Sequence, residues 1–89
     1  MDKHDQLFIQ LLYIFQQSAM QSMGKIKNPL TDKVERNLDQ AQNSIDLLEM
    51  LKEKTRNNIP PEASKILDGF LMELRLNYID EVNKKQVPS

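Results

Sequence analysis

The chain has 89 residues, enough for one domain that is only marginally stable as a monomer. Hydrophobic residues make up 39% and charged residues 28%, a balance that excludes a disordered segment; the net charge of −1 gives no general attraction to nucleic acid or to an anionic membrane. There is no cysteine, so disulfides and thiolate metal sites are excluded and a reducing, cytoplasmic compartment is the natural reading. Two glycines and four prolines are too few for an all-β fold built on tight turns.

The first predicted helix covers residues 5–23. Its segment 7–15 is apolar except for Gln10. That run is well short of the ~20 residues that span a bilayer. The residues before it carry no net positive charge, which argues against a signal peptide. No charged residue occurs between Gln6 and Met23. At ~100° per residue, Gln6, Gln10, Gln17 and Gln21 share one narrow polar stripe. Apolar residues spread over much of the remaining circumference, more than one neighbouring helix covers. Gly24 suits a left-handed cap, and the connection 24–31 contains the turn signal Asn28-Pro29.

Asp32-Lys33-Val34-Glu35 has the form of a capping box and predicts a second helix over 32–56. Leu38, Ala41, Ile45 and Leu48, with Val34 one turn upstream, form its apolar face, the strongest periodic signal in the chain. Asn57-Asn58 and Pro60-Pro61 stop it, and the short connection makes the second and third helices antiparallel neighbours. The third helix is predicted over 61–82, with a frayed tail at 83–89. Ala63, Ile66, Leu67, Phe70, Leu71, Leu74 and Tyr78 make its main apolar face. Met72, Leu76 and Ile79 make a second stripe away from it.

The expected architecture is therefore all-α: a three-helix domain over 1–89. Helices two and three form an antiparallel hairpin with the first packed against it, completing a helical bundle in a homodimer. The apolar excess assigns that oligomer or partner interface to Leu7, Leu11, Ile14, Phe15, Met72, Leu76 and Ile79.

Asn37-Leu38, Ala41, Ile45-Asp46, Leu48, Met50-Leu51, Lys54-Thr55 and Asn58, followed by Leu67, Leu71, Glu73-Leu74-Arg75 and Tyr78, resemble a small bacterial family, the domain of unknown function numbered eighteen forty-four. The first helix fits more loosely, through Ser18-Ala19, Met23-Gly24 and Asn28-Pro29. The chain departs from the family at Pro60-Pro61, where members usually carry Thr or Ser and an acidic residue. The resemblance implies a compact all-helical cytoplasmic domain and brings no activity or catalytic residues.

No residue set points to catalysis, metal or a cofactor. The single His4 has no partners at a ligating or catalytic spacing. Asp46, Glu49, Glu53, Glu73, Asp80 and Glu81 lack the Glu-x-x-His pairs of a di-metal bundle and read as a solvated face. Asp46 and Arg75 flank apolar stripes and are candidates for an inter-helix salt bridge. Gly24-Lys25-Ile26-Lys27 lacks the second glycine and the Lys-Ser/Thr of a phosphate loop. The first functional reading is a non-catalytic, self-associating helical module that docks another protein. The second is a nucleic-acid- or ribosome-associated accessory factor using a small basic patch of Lys25, Lys27, Lys33 and Arg36.

Overall fold

The computed structural model describes residues 2–86. Three helices pack against one another: α1 (Lys3–Ser22), α2 (Leu38–Lys54) and α3 (Pro61–Gln86). Tyr13 meets Phe70, Gln16 meets Glu73 and Lys25 meets Asp80, so α1 and α3 run parallel. Lys52 reaches Asp68 and Glu49 reaches Arg75, so α2 runs antiparallel to α3. Helix α1 thus lies along the α2–α3 hairpin in an up-down-up bundle. The radius of gyration, 14.3 Å, exceeds the ~12 Å of a compact domain this long. Long helices in a thin bundle leave much lateral surface uncovered.

The core takes one stripe from each helix. Leu12, Ala19 and Met23 come from α1 and its cap, Ala41, Ile45 and Leu48 from α2, and Leu67, Leu71 and Leu74 from α3. Phe8, Phe15, Met20, Leu38, Leu51, Ile66, Phe70 and Tyr78 pack partly buried against them. On α2 and α3 these are the faces that the 3.6-residue periodicity marks out; on α1, apolar around most of its circumference, packing selects the stripe.

The helix ends depart from expectation chiefly in three places. Helix α1 begins at Lys3 rather than residue 5, because the Asp2 carboxylate accepts from the Asp5 amide at 2.8 Å and caps the first turn. Helix α2 begins at Leu38, not Asp32, and its cap is Asn37, which accepts from the Gln40 amide at 3.1 Å. The expected capping box is absorbed by a turn. The Asn28 side chain accepts from the Leu30 amide, its carbonyl accepts from Thr31 and Asp32, and its amide donates to Lys33. Asp32 adopts a left-handed φ of 56°, and Glu35 accepts from the Thr31 hydroxyl instead of reaching back to a cap. Val34 is consequently outside the helix and exposed. Helix α3 continues to Gln86, past the expected end at Val82, with Lys84 paired to carboxylates one turn back. The rest of the expected tail, residues 87–89, lies outside the described residues.

The other stops lie close to their signals. Gly24 (φ 78°) closes α1 as a Schellman cap: its amide donates to the Gln21 carbonyl and the Lys25 amide to that of Met20. Helix α2 stops at Lys54 with Thr55 as its cap, short of the expected residue 56, and Asn57 (φ 64°) turns the chain in the left-handed region two residues past that cap. Pro61 occupies the first position of α3, where its missing N–H goes unneeded.

Candidate functional site

Two features stand out on this scaffold: an apolar surface left over by the core and an ion cluster at one end of the bundle.

The apolar surface carries most of the residues expected at an interface. Leu7, Leu11 and Ile14 are exposed on α1, and Met72, Leu76 and Ile79 on α3, the α3 trio being 56–66% exposed. Phe15 differs: it turns toward the bundle and packs partly buried against the core. Leu30 does not fold back over α1; it is 93% exposed in the connection. Tyr13 is also exposed, although its ring meets Phe70 edge-on at 5.1 Å.

The two stripes do not form one patch. Helix α1 turns Tyr13 and Gln16 toward α3, and the Leu7–Leu11–Ile14 stripe lies ~100–180° around the helix from them. On α3, Phe70 and Glu73 face α1, and Met72, Leu76 and Ile79 lie a similar ~120° away. The stripes therefore occupy separate shoulders, on either side of α2.

Their surroundings also differ. The α1 stripe is bordered by glutamines and serine, with Lys3, one turn before Leu7, the charged residue at its N-terminal end. Beside the α3 stripe, Gln42, Ile45, Glu49, Arg75, Tyr78 and Ile79 line a shallow groove between α2 and α3. Arg75 pairs there with Glu49 rather than with Asp46, which instead accepts from Gln42 at 2.8 Å. Lys52 likewise crosses to Asp68 at 2.8 Å and does not pair with Glu49 along its own helix.

The ion cluster centres on Glu81, expected on a solvated face but only 6% exposed. Lys25 reaches its carboxylate at 2.9 Å, Lys84 at 3.0 Å and the Arg36 Nε at 3.1 Å. A terminal guanidinium nitrogen of Arg36 also donates to the Glu81 carbonyl at 2.7 Å. The Lys25 ammonium, helped by Lys84 and Arg36 and opposed by burial, holds the Glu81 carboxyl down to about 2. Lys25 is raised in turn, chiefly by Glu81 and then by Asp80. Asp80 is lowered, by Lys25 first and then Lys84.

This cluster dismantles the expected basic patch. Lys25 and Arg36 turn inward onto Glu81, and Lys27 lies 4.0 Å from Asp32. Lys33 remains exposed. Sequence reasoning missed Glu81 because nothing in the local pattern of α3 reveals cations delivered from residues 45 and more positions away. The available signal was its place on the helix, about one turn beyond Tyr78 on the core-facing side.

Among the described residues, no group of three His, Asp or Glu side chains converges as a metal site, and no helix is long and apolar enough to cross a membrane. His4 is exposed in the first turn of α1. Comparison with curated proteins and with solved structures finds no match. A family model described as a domain of unknown function, DUF1844, matches residues 5–80, most of the chain and all but the ends of the three-helix bundle, and the protein belongs to that family.

Proposed function

We propose that this protein is a non-catalytic, self-associating helical module of the bacterial cytoplasm that docks another protein. The observation that carries the reading is the exposed face of α1 from Gln6 onward, which carries no charged residue and holds Leu7, Leu11 and Ile14 in one stripe. A neutral apolar face is self-complementary: a two-fold axis brings like against like without charge repulsion. The second stripe, on α3, stands on the other side of α2 and is free to hold a different protein. The alternative, a nucleic-acid- or ribosome-associated factor, is less well supported because Lys25 and Arg36 already neutralise Glu81.

Light scattering at micromolar concentration tests self-association. The expected mass is twice that of the 10.4 kDa chain, and a mass near 10.4 kDa overturns it. Ile14→Glu places a charge in the middle of the α1 stripe and is expected to give a folded monomer. A variant as associated as the parent assigns the contact to another face.

A further inference from the structure

A stripe of apolar residues on α3 and two exposed aspartates on α2 flank the α2–α3 groove, and that combination specifies a partner. Met72, Leu76 and Ile79 are exposed over two turns of α3, and Ile45, Tyr78 and Ile79 contribute to the groove beside them. On the neighbouring flank of α2, Asp39 and Asp46 are both exposed. They are seven residues apart, so they stand on one face of α2, ~10 Å from each other. Glu49, between groove and flank, is neutralised by Arg75, and Lys52 by Asp68. The charge left along this flank is negative, from Asp39 and Asp46.

We infer that the outer face of the α2–α3 pair, over and beside this groove, docks a basic amphipathic helix of a partner protein, its apolar face on Met72, Leu76 and Ile79 and its basic residues on Asp39 and Asp46. The spacing fits helix-in-groove recognition. Apolar residues at i, i+3 or i+4 and i+7 of the partner match the two-turn stripe, and two Lys or Arg residues seven apart match the two aspartates. Met72 supplies a flexible, polarisable contact that adapts to different apolar side chains. A second copy of α1 is a poor occupant, since it offers Lys3 alone, with Gln10 and not a second cation seven residues on, to meet both Asp39 and Asp46. This inference rests on the docking half of the proposed function and is independent of whether α1 self-associates.

The test uses the full-length protein and two fluorescein-labelled helical peptides, one alternating Leu with Lys in amphipathic register, the other Leu with Glu. Fluorescence anisotropy is expected to show saturable binding of the Leu/Lys peptide that weakens with salt, and none of the Leu/Glu peptide. Leu76→Glu is expected to weaken it about tenfold or more, as for a central contact residue. Asp39→Asn with Asp46→Asn is expected to weaken it and flatten its salt dependence. Ile14→Glu, on the other shoulder, is expected to bind as the parent does. Equal binding of both peptides, no saturable binding, or unchanged binding by Leu76→Glu overturns the inference. Light scattering on the same samples separates the two readings. A monomeric parent that still binds the Leu/Lys peptide removes only self-association. A dimer that Leu76→Glu alone dissociates means that a second copy covers the groove, and the docking inference fails.

Discussion

Arg36 holds Glu81 at two points, donating from Nε to the carboxylate at 3.1 Å and from a terminal nitrogen to the backbone carbonyl at 2.7 Å. The residues lie 45 positions apart, one just before α2 and the other near the end of α3. With Lys25 on the same carboxylate, the contact ties both ends of the α1–α2 connection to the third helix. That connection has no regular structure beyond its turn, so side-chain anchors such as these fix its path.

Glu81→Gln keeps the shape and removes the charge. Lys25 and Arg36 keep partial access to water and can rehydrate, so the cost should fall below the 3–5 kcal/mol of a fully buried broken pair, at about 1–3 kcal/mol. Thermal unfolding of the variant should show a midpoint lower by roughly 4–8 °C for each kcal/mol lost. An unchanged midpoint would mean that the cluster contributes nothing net.

The same carboxylate sets an acid limit. Its folded-state pKa is about 2 against an ordinary 4.5. Because the folded value is the lower one, Glu81 stabilises the fold above pH 4.5, and this contribution is lost as the pH falls from 4.5 toward 2. The linked stabilisation is at most about 3 kcal/mol. Urea titrations across that window should show the parent losing stability more steeply than Glu81→Gln. Parallel curves would show that other carboxylates govern acid unfolding.

The start of α2 distinguishes two caps. Asn37→Ala should cost about 1 kcal/mol, the usual loss for a capping side chain. Asp32→Gly should be neutral or slightly stabilising, since glycine accepts a left-handed φ without strain. Chemical denaturation of the two variants measures both, and a larger loss at residue 32 than at 37 would restore the capping-box reading.

The two glycines should respond in opposite directions to alanine. Gly24 sits at φ 78°, where a Cβ costs roughly 1–2 kcal/mol. At Gly69, inside α3, an added Cβ meets nothing within 4 Å, and Gly69→Ala should stabilise by up to about 1 kcal/mol. Unfolding midpoints that move the same way for both would contradict this assignment.

The sequence by itself determined the helical class and the core. Ala41, Ile45 and Leu48, and Leu67, Leu71 and Leu74, repeat at the helical period, and a buried stripe must repeat that way whatever covers it. Gly24 marked the end of α1, and Asn57 the turn that follows α2, because a left-handed conformation is tolerated by those residue types. The apolar excess of α1 and α3 was legible for the same reason: a count of apolar positions exceeds what two neighbours cover. What only the tertiary structure decided depends on groups distant in the chain. Asp32-x-x-Glu35 has the letters of a cap, but the backbone of Asn28 and the hydroxyl of Thr31 claim its hydrogen-bonding groups first. Lys25 and Arg36 look like part of a basic patch until the end of α3 brings Glu81 between them. Arg75 and Asp46 each flank an apolar stripe, which made them candidates for a bridge, yet the register of the hairpin gives Arg75 to Glu49. Periodicity names the face a residue occupies on its own helix. Which residue stands opposite depends on register and rotation between helices, and these are set only when the three stripes pack together.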